Sequence, residues 1–134
     1  MSEIPESSLV IIRGLPGSGK TTLAREIAKS CGYLHFESDM FHETEGGYLH
    51  DRDAMSAAQG WCYRSTRDAL LAGKKVVVSN VFTKLWQLEK FLDLSDSVTV
   101  IECAGTYAST HDVPDKVLRN MRAAWEPFQG AIRV

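Results

Sequence analysis
Gly14-Leu15-Pro16-Gly17-Ser18-Gly19-Lys20-Thr21 is the stretch that decides the fold. It follows the apolar run Leu9-Val10-Ile11-Ile12 and precedes Thr22-Leu23-Ala24-Arg25-Glu26-Ile27-Ala28-Lys29. The spacing is G-x-x-x-x-G-K-[ST], with a strand signal before it and a helix signal after it. Gly14, Gly17 and Gly19 let the backbone take positive φ and approach a phosphate chain closely. The loop N–H groups then face inward at the positive end of the following helix, as an anion nest. In such a nest Gly14, Leu15, Pro16, Gly17, Ser18, Gly19, Lys20, Thr21 and Thr22 surround the phosphates of a nucleotide. Lys20 reaches the β- and γ-phosphates, and the Thr21 hydroxyl is the ligand for Mg²⁺.

Working outward, 134 residues leave room for one domain with a real core. We read residues 1–134 as that single domain, with Met1 to Ser8 polar and loose. The net charge of −2 creates no strong field toward nucleic acid or membrane, so a nucleic-acid partner needs a local patch. Cys31, Cys62 and Cys103 lack metal-ligand spacing and fall near or inside regular elements, where a thiol acts as a small hydrophobe. Reduced cytoplasm is the simplest compartment for them. The run Leu9 to Ile12 is too short for a signal-peptide core or a membrane span.

Leu9 to about Arg13, apolar on consecutive positions, predicts a strand buried on both faces, hence central and parallel. A helix follows from Lys20 to Ser30, with Leu23 and Ile27 on one face and Gly32 placed to end it. Tyr33 to Glu37 is a second strand. A helix over Arg52 to Ala72 carries the stripe Met55, Ala58, Cys62, Thr66, Ala69, Leu70, and Gly73 ends it. Val76-Val77-Val78 is a third, buried strand, and Val98 to Cys103 a fourth. Between them lies a short helix, Lys84 to Leu92. Pro114 opens a last helix with Val117, Leu118, Met121 and Trp125 inward, and Pro127 stops it. The alternation predicts an α/β fold: a P-loop NTPase three-layer sandwich of the kinase-like group, with a short parallel sheet of about four strands.

Phosphoryl transfer also needs a group to orient the acceptor oxygen and cations on the developing charge. Asp39 stands just past strand two, on the side where open α/β sheets place their ligands. A carboxylate there can take the proton of an acceptor hydroxyl, or cap a helix. His42 reads as an acceptor contact or a solvated loop residue, and His111 as structural or solvent-facing. His35 and His50 have no metal-site spacing. The third strand runs into Ser79-Asn80 where such strands usually place an acid. These two can hydrogen-bond a metal-bound water or Thr21 but bring no charge, which leaves Asp39 to serve the metal's outer shell as well. The loop Gly105 to Asp112 contains no Arg or Lys. Arg119 and Arg122 on the last helix are the nearest cations, or else a solvated helix face.

A series of segments carries a resemblance: the glycine loop, Glu37-Ser38-Asp39-Met40-Phe41, Gln59-Gly60-Trp61-Cys62, Ser79-Asn80-Val81-Phe82-Thr83-Lys84-Leu85-Trp86, His111-Asp112-Val113-Pro114 and Met121-Arg122-Ala123-Ala124-Trp125-Glu126-Pro127. From about Leu9 to Pro127 the chain resembles small phage-encoded P-loop ATPases of the AAA-family ATP-binding type. These are similar in turn to the 5′-hydroxyl kinase domain of phage polynucleotide kinase. The resemblance implies ATP- and Mg²⁺-dependent phosphoryl transfer with Asp39 as general base beside Lys20, in the cytoplasm, which for a phage protein is the host's. His42 stands where that domain has an acceptor-binding arginine, Ser79 where the wider family has an aspartate, and Ala108-Ser109 where it has Arg-Asn.

Three readings of the function follow. The first is a kinase acting on a single-stranded nucleic-acid end, gripped by Arg52, Arg64, Arg67, Lys74, Lys75, Arg119 and Arg122. The second is a kinase for a nucleoside or another small hydroxyl acceptor. The third is a nucleotide-binding protein of little intrinsic turnover, acting through a partner.

Overall fold
The computed structural model describes residues 7–38, 40, 52–104 and 115–134. Leu9–Gly14 forms β1, and every residue in it is buried. Val10, Ile11 and Ile12 are stiff at χ1 and favour a pleated backbone. The glycine loop leads into α1, Lys20–Cys31. Gly32 ends this helix in the left-handed conformation, φ 74°, its N–H donating to the Ala28 carbonyl. Then follow β2 (Leu34–Phe36), α2 (Arg52–Leu71), β3 (Val76–Asn80), α3 (Leu85–Leu92), β4 (Val98–Cys103), α4 (Asp115–Ala124) and β5 (Ile132–Arg133).

The sheet is parallel throughout, in the order β2-β3-β1-β4-β5. β1 is first in the chain and central in the sheet. It pairs from Leu9↔Val76 to Arg13↔Asn80 on one side and from Leu9↔Val98 to Gly14↔Cys103 on the other. Side chains along a strand alternate between faces. Val10, Ile12, Val77, Ile101 and Cys103 face α1, where Ala24 and Ile27 are buried against them. Leu9, Ile11, Val76, Val78 and Val100 face the other layer, with Cys62 of α2 and Leu88 and Phe91 of α3. Each fully buried aliphatic side chain here contributes about 1.5–3 kcal/mol relative to exposure. This is the expected α/β sandwich, with the loop's opening at the carboxyl ends of the strands.

Three details differ from what the sequence predicts. A fifth strand closes the sheet, where Val134 N–H donates to the Glu102 carbonyl at 2.9 Å. A two-residue strand is too short to leave a periodic signal. α4 has no buried residue: Val117 is 37% exposed, and Trp125 lies half-buried beyond the helix end. Its apolar stripe therefore does not enter the core. Pro114 lies outside the described residues. Ser7 and Ser8, read as part of a loose segment, are bonded to the sheet: Tyr33 Oη–H donates to the Ser7 carbonyl at 2.5 Å, and Val76 N–H to that of Ser8 at 2.9 Å.

Candidate functional site
The loop between β1 and α1 is built from backbone. Gly17 (φ 81°) and Gly19 (φ 90°) occupy the left-handed region, which a side chain disfavours. Gly14 is needed for a different reason. A Cβ there would lie 3.0 Å from the Cys103 carbonyl oxygen and closer still to Ser18 Oγ. Ser18 N–H donates to the Leu15 carbonyl at 3.0 Å and Leu23 N–H to that of Gly19 at 3.1 Å, which sets the turn into α1. Gly19 is the N-cap and offers no side-chain cap. The amides of the first helical turn are thereby suited to an anion. Thr22 is exposed. Cys103 faces the loop from β4; burial pushes its thiol pKa up, against the pull of the Lys20 ammonium.

Beside the loop runs a line of polar side chains. Thr21 Oγ1–H donates to Glu37 Oε2 at 3.2 Å. The other carboxylate oxygen, Glu37 Oε1, is 3.5 Å from His35 Nε2. That ring nitrogen is 2.9 Å from Ser79 Oγ. Burial, with the nearby Arg25 guanidinium, pushes the His35 pKa down to about 4, so the imidazole is neutral. The sequence reading gave Glu37 no role and His35 none beyond a missing metal spacing. It also placed Ser79 and Asn80 near Thr21 or a metal-bound water. In the structure Thr21 meets Glu37, and Ser79 bonds His35. Asn80 turns elsewhere: its Oδ1 accepts from the Ser38 N–H at 2.8 Å and its Nδ2 is 3.6 Å from Cys62 Sγ. Burial pushes the Cys62 thiol up to about 11, against a hydrogen bond from Asn80, so it is inert. The signal that points to Glu37 is its place as the acid that closes the strand read over Tyr33 to Glu37. The sequence alone does not show that β2 lies close enough to α1 for that acid to reach Thr21.

Asp39, His42, His111 and the loop 105–114 lie outside the described residues. Arg119 is exposed. Arg122, together with Leu15, Pro16, Trp125 and Arg133, lines a cleft of about 290 Å³ against the outer wall of the loop. Lys74 and Lys75 immediately precede β3, whose Val76 pairs with Leu9. They therefore sit at the opposite end of the sheet from the loop and cannot grip a ligand held there.

The face of β1 away from α1 holds Arg13, which is fully buried. Its Nε and Nη2 donate to the Phe82 carbonyl at 3.1 and 2.5 Å. Its guanidinium stacks 3.9 Å from the centre of the Trp125 ring, and Nη1 lies 3.8 Å from Glu102 Oε1. Burial pushes its pKa down, against Glu102 and Glu126, yet a guanidinium starts high enough to stay charged. Phe82 is itself strained, with φ 52°. In the sequence Arg13 is only the end of a strand, and no local pattern marks it as this anchor.

A central parallel strand, a glycine loop opening at its carboxyl end and a helix capped by loop backbone define a P-loop protein with a kinase-like strand order. The chain belongs to the AAA domain family, whose sequence profile matches residues 9–104, from β1 to just past β4. Human NEDD4-binding protein 2 is 30% identical over 92 residues, which make up 65% of this chain and 5% of that protein; the chain thus spans a small part of that relative's length. A gluconokinase from Sinorhizobium meliloti 1021 has the same fold at TM-score 0.70 and 20% identity, over 98% of this chain and 83% of that one. A chain of the Pnkp1/Rnl/Hen1 RNA repair complex matches at TM-score 0.72 and 16% identity, over 92% of this chain and 45% of that one. At these identities the two structures show a shared P-loop kinase-like fold. Among the described residues no helix is long and apolar enough to cross a membrane.

Proposed function
We propose that this protein transfers the γ-phosphoryl group of ATP to a hydroxyl acceptor, with Mg²⁺, in the manner of a polynucleotide 5′-hydroxyl kinase. The observation that carries the reading is the Thr21 hydroxyl facing the Glu37 carboxylate beside the glycine loop. Two hard oxygen donors there fit Mg²⁺, which binds through one or two protein groups and substrate phosphates. When bound, the ion neutralises charge on the phosphates. The loop amides from Gly14 to Gly19 and Lys20 hold the phosphates, and Thr21 and Glu37 hold the metal. The cleft beside Trp125 and Arg122 takes the nucleoside end. Asp39, two residues beyond Glu37, takes the acceptor's proton, and His42 contacts the acceptor.

A second reading has a specific observation behind it. Lys74 and Lys75 are at the wrong end of the sheet, so the cations available to a nucleic-acid strand are fewer than the sequence suggests. A small polyol or nucleoside needs fewer of them, and the gluconokinase likeness is in keeping with such an acceptor.

The test is transfer of labelled γ-phosphate from ATP to 5′-hydroxyl oligonucleotides, 5′-phosphorylated oligonucleotides, nucleosides and sugars. The proposal expects label on the 5′-hydroxyl oligonucleotide and none on its phosphorylated form. Asp39→Asn should slow transfer by about 10²–10⁴-fold with ATP binding intact. Label on nucleosides or sugars alone selects the second reading. ATP binding with no transfer to any acceptor selects a nucleotide-binding protein of little turnover that acts through a partner.

A further inference from the structure
We propose that His35 and Ser79 are positioning residues that aim Glu37 at Thr21, so that the carboxylate serving the metal comes from the end of β2 instead of from β3. This rests on the nucleotide and metal reading given above and deepens it.

His35 pairs with Val77 and Phe36 with Val78, so the next positions, Glu37 and Ser79, lie abreast at the carboxyl end of the sheet. Val77 faces α1, and alternation puts His35, Glu37 and Ser79 on that same face, next to Thr21. Ser79 holds the strand-three position where an acid would otherwise stand, and it is fully buried. Its hydroxyl cannot replace a carboxylate's charge. It can, however, fix the imidazole that borders one.

The ring nitrogen settles its own proton. His35 Nε2 has Ser79 Oγ at 2.9 Å and Glu37 Oε1 at 3.5 Å. A lone pair on Nε2 would repel the anionic oxygen, so the N–H belongs there, between the two oxygens. Oε1 faces the imidazole N–H at 3.5 Å, and Oε2 faces the Thr21 hydroxyl at 3.2 Å. A Glu side chain has three rotatable bonds, and each polar neighbour narrows the directions it samples. The imidazole is itself walled in, with its side chain 8% exposed. A purely structural role for the pair would lower stability when it is removed. It would not change how strongly metal tightens nucleotide binding, and that is what separates the two accounts.

The experiment titrates ADP into the full chain by calorimetry, first in EDTA and then across a series of MgCl₂ concentrations. Groups that orient a metal-site carboxylate typically contribute 10–100-fold to metal affinity. His35→Leu should therefore raise the Mg²⁺ concentration for half-maximal tightening about 10-fold or more, with ADP affinity in EDTA unchanged. His35→Gln keeps an N–H at similar reach and should restore most of the loss. A wild-type Mg²⁺ dependence in His35→Leu overturns the proposal, as does a His35→Gln protein no better than His35→Leu. Should His35→Leu fail to fold by circular dichroism, Ser79→Ala carries the test. It removes one oxygen and should shift the Mg²⁺ midpoint in the same direction, and no shift overturns the proposal. A wild-type protein that binds ADP equally with and without Mg²⁺ overturns the metal reading and this inference with it. Wild-type tightening with unaffected variants overturns the inference alone.

Discussion
His35 and Arg13 are both buried bases, on opposite faces of one sheet, and the two faces treat them differently. On the α1 face the imidazole is kept neutral, because burial and Arg25 both disfavour its charge. Its partners are a hydroxyl and the carboxylate that meets Thr21. On the other face the guanidinium cannot give up its charge, and acceptors are brought to it: the Phe82 carbonyl, Glu102 and the Trp125 ring. A neutral hydrogen-bonding ring suits a region where ligand charge comes and goes. A permanent cation suits an anchor that must not change. Arg13 is the residue before Gly14, so the anchor lies immediately behind the glycine loop.

The hardest way to break this contrast is Arg13→Ala. It strips the Phe82 carbonyl of both side-chain donors, leaves φ 52° unsupported and removes the surface under Trp125. Removing one partner from a buried charged network costs about 3–5 kcal/mol. Urea unfolding should show a loss of that size, and a loss under about 1 kcal/mol, that of an ordinary substitution, would mean the network holds nothing. Lys20→Ala is the mirror experiment. It removes a charge-assisted contact to phosphate and should weaken ATP binding by about 1.5–3 kcal/mol, read by calorimetry. Lys20 is half-buried, so its effect on unfolding should be that of an ordinary substitution, about 1 kcal/mol. Equal ATP affinity in mutant and wild type would remove the loop from the site.

Acidity should act on one face alone. His35 has a folded pKa of about 4 and an ordinary value of 6.5. Between those values the unfolded chain holds more protons, so stability falls as pH falls through that window. From pH 7 to pH 5 this linkage amounts to about 2 kcal/mol. Urea unfolding at the two pH values should show wild type losing more than His35→Gln by roughly that amount. Equal losses would mean that the imidazole is not held neutral. Arg13 does not titrate in this range and adds nothing to the slope.

What the sequence revealed and what it withheld also divide along these faces. The apolar run of β1, the glycine loop and the alternation of elements were enough to place a central strand and the sandwich, because burial on both faces leaves a continuous apolar signal. Gly17, Gly19 and Gly32 could be read for the same kind of reason, since each meets a local backbone need. Glu37 and His35 could not. Their roles depend on β2 pairing with β3, a contact between segments about 40 residues apart that no local pattern encodes. Arg13 was hidden more deeply: a charged residue closing an apolar strand reads as its solvated end. The stripe on α4 misled in the opposite direction, because amphipathicity marks a face fit for burial without supplying a partner.

The smallest predicted effect tests whether Arg13 holds the turn after β3 alone. Glu126, next to Trp125, reaches the same turn: its Oε1 accepts from the Leu85 N–H at 2.8 Å, and its own N–H donates to the Thr83 carbonyl at 2.8 Å. The first contact caps α3 from outside the helix, satisfying one of the amide donors at its start. The second is backbone and survives any substitution. Glu126→Ala should therefore cost what loss of a cap costs, about 1 kcal/mol. Glu126→Gln keeps an acceptor oxygen. It loses the pairing of Oε2 with Lys84 Nζ at 3.9 Å, where both side chains are more than 40% exposed, and the charge that favours the Arg13 guanidinium. Interactions of a carboxylate that exposed are worth little, so the Gln variant should stay closer to wild type than the Ala variant, within about 1 kcal/mol. Urea midpoints of the two variants against Arg13→Ala order the contributions. If Glu126→Ala cost as much as Arg13→Ala, the carboxylate cap would hold the turn as firmly as the buried cation does.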